Sequence, residues 1–209
     1  MSNDASRRSC YFPSLTRAWD MLGSPELTTM AARSGGTVKE DTLSLKMLDD
    51  MLVVDLKKRS IVTSIPEKDV LLDIVILHYL KGCIDNEVVP KGDWLLFRQL
   101  PGGEAFQSAF QKRVVEAIAE RFSSRPNELI DSGLKLKGRT ETFGSATIVL
   151  PFLPKLHVRV TVWQGDDEVP GNATMLFSPG ARSILPTEDY SEVGSAVLSA
   201  LLRSSSSTR

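Results

Sequence analysis

The stretch Val70-Leu71-Leu72-Asp73-Ile74-Val75-Ile76-Leu77-His78-Tyr79-Leu80 has almost no polar side to turn toward water. A helix apolar nearly all round must sit inside a core, with other elements covering it on every side. Its start carries a capping pattern: Ser64 as cap, Pro66 at an early helical position and Glu67 at capping-box spacing. Gly82 is expected to end it. The chain has 209 residues, 42% hydrophobic and 24% charged, an ordinary globular balance that can supply the surrounding layers. A chain of this length buries roughly 70% of its unfolded surface without staples. The apolar run Val70 to Leu77, interrupted by Asp73, is too short to span a bilayer.

Around that helix the chain reads as α+β. Residues 1–14 are polar and aperiodic, an expected disordered lead; 15–203 reads as a single domain and 204–209 as a flexible tail. Leu15 to Leu22 and Leu27 to Ala32 read as short helices, with Gly35-Gly36 stopping the second. Lys39 to Asp50 is ambiguous. Met51 to Leu56 and Ser60 to Thr63 read as strands around the basic turn Lys57-Lys58-Arg59. Trp94-Leu95-Leu96-Phe97 reads as a further strand, followed by the turn Pro101-Gly102-Gly103 and a helix to about Phe122. Phe106, Phe110, Val114 and Ile118 recur every four residues along that helix as its buried stripe. Ser124, Pro126 and Glu128 open another helix that Gly133 closes.

The C-terminal third changes period. Leu156, Val158, Val160 and Val162 alternate with His157, Arg159, Thr161 and Trp163, the pattern of a strand with one buried face. Ala146 to Leu150 and Ala173 to Phe177 flank it through short connections, so the three form an antiparallel meander. Thr187 caps a final helix, with Glu188 and Asp189 in its first turn and Val193, Ala196, Val197, Ala200 and Leu201 as its buried stripe. The expected architecture is an antiparallel sheet, made of the C-terminal meander plus shorter N-terminal strands, packed against several helices.

Charge is nearly balanced, 25 Lys+Arg against 26 Asp+Glu, which argues against nucleic acid and against a polybasic membrane anchor. Cys10 and Cys83 make neither a disulfide framework nor a four-cysteine site. The N-terminal residues hold no apolar run after Arg7 and Arg8, so the sequence is read as a soluble cytoplasmic protein.

No motif specifies a reaction. Gly102 and Gly103 let a ligand approach the backbone at a helix start, and Arg98 just before them suits an anion, but the P-loop lysine is missing. His78 and His157 are the only histidines; His78 lies on the apolar helix, while His157 is expected to face solvent or a covering helix. Asp167 and Glu168, in the acidic loop after Trp163, are placed with Glu188 by a hairpin that could return them to the final helix. Trp163 could line a groove beside that loop. One surface joining the Arg98 to Gly103 turn, the His78 edge and the Trp163 hairpin is the expected site.

Several of these segments together resemble a prokaryotic family of domains of unknown function. The resemblance is carried by His78-Tyr79-Leu80, Trp94, Phe97-Arg98-Gln99-Leu100-Pro101-Gly102-Gly103, Ala109-Phe110 with Arg113, Leu153-Pro154, Trp163, Gly165-Asp166-Asp167-Glu168 with Pro170, Phe177, and Leu185 with Thr187-Glu188-Asp189. Some members of that family are joined to a four-cysteine iron–sulfur module of the kind found in corrinoid iron–sulfur proteins. The resemblance therefore implies a corrinoid or redox context. The chain departs from it in having no cysteine cluster, and in Gln99 and Val169 where an acidic and an aromatic residue are expected. The expectation is a ligand- or partner-binding domain, accessory to corrinoid or redox proteins. The alternatives are an enzyme using His78 and Arg98 with the carboxylates of the 166–168 loop, and a structural or assembly subunit.

Overall fold

The computed structural model describes residues 2–65, 69–88 and 92–206, with side chains from Cys10 onward. Two helices come first, α1 (Ser2–Leu22) and α2 (Leu27–Ser34), so the helix expected from Leu15 begins earlier. Gly35 closes α2 in the left-handed conformation at φ 77°, its N–H donating to the Ala31 carbonyl.

Four antiparallel strands follow in sequence order: β1 (Thr37–Lys39), β2 (Thr42–Met47), β3 (Asp50–Asp55) and β4 (Ser60–Val62). The last two match the expected hairpin, and the ambiguous stretch before them supplies the other two strands. The turns of this sheet hide from a search for glycine because Glu40, Leu48 and Arg59 take positive φ themselves, at 54°, 54° and 50°. The basic turn is neutralised at every residue: Lys57 pairs with Asp41, Lys58 with Asp55 and Arg59 with Asp20.

The apolar stretch is α3 (Val70–Asp85), buried through Val70, Leu72, Ile74, Val75, Ile76, Leu77, Tyr79, Leu80 and Cys83. Its cap is Asp69, whose carboxylate accepts from the Leu71 N–H at 3.1 Å. The capping box expected from Ser64 involves Pro66 and Glu67, which lie outside the described residues; Ser64 itself bonds to Asp50. Gly82 does not end α3, which runs on to Asp85.

Beyond α3 the expected strand shrinks to β5 (Leu95–Leu96), and Phe97–Gln99 winds into a 3₁₀ turn. The next helical run is composite: a 3₁₀ turn Gly103–Phe106, then α4 (Gln107–Phe110), a π-helical turn Gln111–Val115 and α5 (Glu116–Phe122). Phe110, Val114 and Ile118 are buried as expected, but Phe106 is 49% exposed. The tighter 3₁₀ winding rotates it off the stripe. Helix α6 (Pro126–Lys135) starts after Arg125, and Gly133 lies inside it, where a Cβ would stand 2.3 Å from Ile148 Cγ1.

The meander is present as β7 (Ala146–Leu153), β8 (Leu156–Trp163) and β9 (Asn172–Phe177). Together with β5 and β6 (Arg139–Glu141) it forms an antiparallel sheet in the order β5-β9-β8-β7-β6. Pro151 cannot donate to a ladder, and the β7–β8 register shifts between Leu150 and Leu153. The carbonyl freed there accepts from the Leu48 N–H at 3.0 Å, which joins the two sheets. Helix α7 (Thr187–Ser206) closes the fold, running into the expected tail; Ser204 Oγ donates to the Ser132 carbonyl.

The protein is thus α+β. Helices α1, α2 and α7 pack around α3, and α5 and α6 cover one face of the five-stranded sheet. The other face lies opposite α5 and α6. Trp94, Arg159, Phe143 and Trp163 lie across it in a row: Arg159 is 4.9 Å from the Trp94 ring centre and 5.9 Å from that of Phe143, which meets Trp163 edge-on. Beneath them Thr147 and Thr161 are buried and share a hydrogen bond of 2.8 Å. No helix among the described residues is long and apolar enough to cross a membrane.

Candidate functional site

On α3, His78, Lys81 and Asp85 recur at three- and four-residue spacing and form a narrow polar stripe on a cylinder otherwise apolar except for Asp73. The 3₁₀ turn Ala181–Ser183 packs against this stripe at Gly82, where an added Cβ would lie 1.9 Å from the Ile184 carbonyl oxygen. Glycine is thus required by close approach. Three further bonds hold the segment in place. Asn86 Nδ2 donates to the Ser183 carbonyl at 2.9 Å, the buried Tyr190 hydroxyl donates to the Ala181 carbonyl, and Thr187 Oγ1 donates to the Pro101 carbonyl at 2.6 Å. Thr187 therefore ties the start of α7 to the Pro-Gly-Gly turn, rather than capping α7 with its side chain.

That clamp sets Asp189 against His78. His78 Nδ1 donates to Asp189 Oδ2 at 2.7 Å, and the two side chains are only 23% and 12% exposed. Asp189 lies in the first turn of α7, where the helix dipole favours a carboxylate anion. An anionic acceptor places the proton on Nδ1, which leaves Nε2 as the imidazole's free nitrogen; it bonds to no described residue. Beside the pair opens a cleft of about 290 Å³, bordered by Met21, His78, Lys81, Asp85, Arg182 and Leu185. A fixed imidazole at such a mouth can ligate an ion, accept a proton or donate one to an anion.

The other expected residues divide into two groups. Arg98 is exposed on its 3₁₀ turn with no bond to a described residue, Gly102 has open space around it at φ 72°, and Glu188 is exposed at the start of α7. A Cβ on Gly103 would stand 2.1 Å from the Phe97 carbonyl, so that glycine serves packing within the turn. This group reaches the His78 region through Thr187 and Pro101.

Trp163, Asp167 and Glu168 do not join it. Phe177, which meets Tyr190 of α7 edge-on, pairs with Val158, whereas Trp163 pairs with Asn172 at the other end of β8 and β9. Five strand positions separate them, roughly 17 Å. The expected three-way groove is therefore not formed, because an antiparallel hairpin puts its tip at the far end from the strand end that meets α7. The acidic loop closes on itself instead, with Asp166 Oδ1 accepting from the Glu168 and Val169 N–H groups. Among the described residues there is no group of three or more His, Cys, Asp or Glu placed to hold a metal ion.

Sequence reasoning missed Asp189 as the partner of His78, although it marked both residues. They are 111 positions apart, and no local pattern connects them. Arg182 and Asn86 carried no signal at all. Cys83 lies one turn beyond Tyr79; burial pushes its thiol up to about 11. Cys10 is exposed on α1.

A search of curated proteins and of solved structures finds no match. A family model described as a domain of unknown function, DUF3786, matches residues 26–200, a span that takes in every residue bordering the cleft except Met21. The chain belongs to the DUF3786 family of domains of unknown function.

Proposed function

We propose that this chain is a ligand- or partner-binding domain, accessory to a corrinoid or redox protein, and that the His78 cleft is its binding surface. The His78–Asp189 pair carries this reading: a buried carboxylate orients one imidazole so that a single nitrogen is left for an incoming group. The two cysteines, one exposed on α1 and one buried in α3, do not fit an iron–sulfur cluster. A corrin ring is wider than a cleft of about 290 Å³, so a corrinoid would stay on the partner and meet only the cleft mouth. There His78 Nε2 would supply one nitrogen ligand to it. The carboxylates Asp167 and Glu168, at the far end of the sheet, favour this reading over an enzyme built on them.

Affinity-tagged protein purified from its host without air tests the proposal. The wild-type chain is expected to retain a coloured partner with a corrinoid or redox spectrum, and a folded His78→Ala chain is expected to lose it. Equal recovery by the two proteins would remove the cleft from the interaction.

A further inference from the structure

We propose that two copies of this chain pair across the aromatic row of the five-stranded sheet, the acidic hairpin tip of each seated on the Arg139 and Arg159 guanidiniums of the other. Both halves of that contact lie on one chain. Arg159 on β8 and Arg139 on β6 flank Val149 of β7 from its two sides. They share Glu141: Arg139 Nη1 is 2.7 Å from one carboxylate oxygen, and Arg159 Nη1 is 3.6 Å from the other. One carboxylate between two guanidiniums leaves one positive charge. Arg159 makes no hydrogen bond to a described residue, and its Nε is buried without an acceptor, so the guanidinium still has bonds to give.

From there a line of exposed side chains leads to the tip. Phe143 is 56% exposed and lies between Arg159 and Trp163, its ring centre 5.7 Å from that of the tryptophan. Trp163 stands four residues beyond Arg159 on β8, roughly 13 Å along the strand. The loop after it carries Asp167 and Glu168, both exposed and in no ion pair with a described residue, and Val169, 61% exposed. Asp166 braces that loop by accepting from the Glu168 and Val169 N–H groups, so the tip is not free to fold back over its own arginines. A two-fold axis near Phe143 and Trp163 brings each tip to the other copy's arginines at once, with the rings and Val169 between them. A self-complementary patch of this kind closes as a dimer. Its aromatic and arginine content is that of a protein interface, and its charges fix the register.

Sedimentation velocity of the full chain from about 5 to 500 μM is the test, a range suited to the weak association of an interface below about 1,200 Å². A dimer is expected to form with rising concentration and to weaken as salt is raised from about 0.05 to 0.5 M. The double variant Asp167→Lys/Glu168→Lys, which keeps Asp166, and the single variant Arg139→Glu are each expected to weaken it roughly tenfold or more, because like charges then face each other. An equimolar mixture of the two is expected to recover the dimer, since in the mixed pair the reversed ends meet each other and the unaltered ends meet each other. A wild-type chain that stays monomeric over the whole range overturns the proposal and gives the face to a different protein or to a small anion. A dimer indifferent to salt, a dimer that survives both variants, or folded variants that stay apart when mixed also overturns it. The concentration and salt series needs no variant, so it decides even where a substitution prevents folding.

Discussion

At the residue scale, glycines in this chain serve two physical needs. Gly82 and Gly102 were both read from sequence as turn or stop signals, yet they differ. At Gly82 a side chain would run into the Ile184 carbonyl at 1.9 Å, while at Gly102 there is nothing within 4 Å and only the positive φ matters. Gly82→Ala should therefore cost about 3 kcal/mol, at the upper end of overpacking, because a backbone carbonyl must move. Gly102→Ala should cost about 1 kcal/mol, the penalty of a left-handed residue. Urea unfolding midpoints separate the two, and equal losses would mean that Gly82 is not pinned by packing. The close-approach role is invisible in sequence, since the atom that requires it lies about a hundred residues away. The three hairpin residues Glu40, Leu48 and Arg59 show the converse, positive φ with no glycine to announce it.

At the scale of elements, the face of the five-stranded sheet opposite α5 and α6 needs an account of what keeps Thr147 and Thr161 dry. The row Trp94, Arg159, Phe143 and Trp163 does so. The arginine acts as a flat spacer between two rings, and its Nη1 is 3.6 Å from Glu141. Arg159→Ala should destabilise the protein by about 1–2 kcal/mol, through lost stacking and uncovered threonines. Arg159→Lys should recover little of it, because an ammonium lacks the planar surface. Full recovery by lysine, read in thermal unfolding, would reduce the role to charge alone. Strand β8 was legible because alternation marks one buried face, and Leu156, Val158, Val160 and Val162 are all fully buried. The helical run after the Pro-Gly-Gly turn was legible only in part, since periodicity assumes uniform winding and this run changes pitch three times.

At the scale of the whole molecule, pH should act through His157. Burial first, and the Arg139 charge second, lower its pKa below the ordinary 6.5. The folded chain thus resists a proton that the unfolded chain accepts. The stability so contributed is complete above the unfolded value and is lost as pH falls through the folded one. His157→Gln should lose less stability than wild type between about pH 7 and pH 5; parallel pH profiles of the unfolding free energy would refute it. The same scale explains what could be read in advance. The α+β class, the central place of α3, the C-terminal meander and the buried stripe of α7 follow from hydrophobic periodicity, a local property that any window of the chain displays. His78 stood out as one of two histidines on composition alone. The pairing of His78 with Asp189, the cleft bordered by Arg182, and the exclusion of Trp163 and the acidic loop from that site were decided only by tertiary structure. Each depends on which ends of strands and helices meet, and that is set by packing between residues distant in sequence.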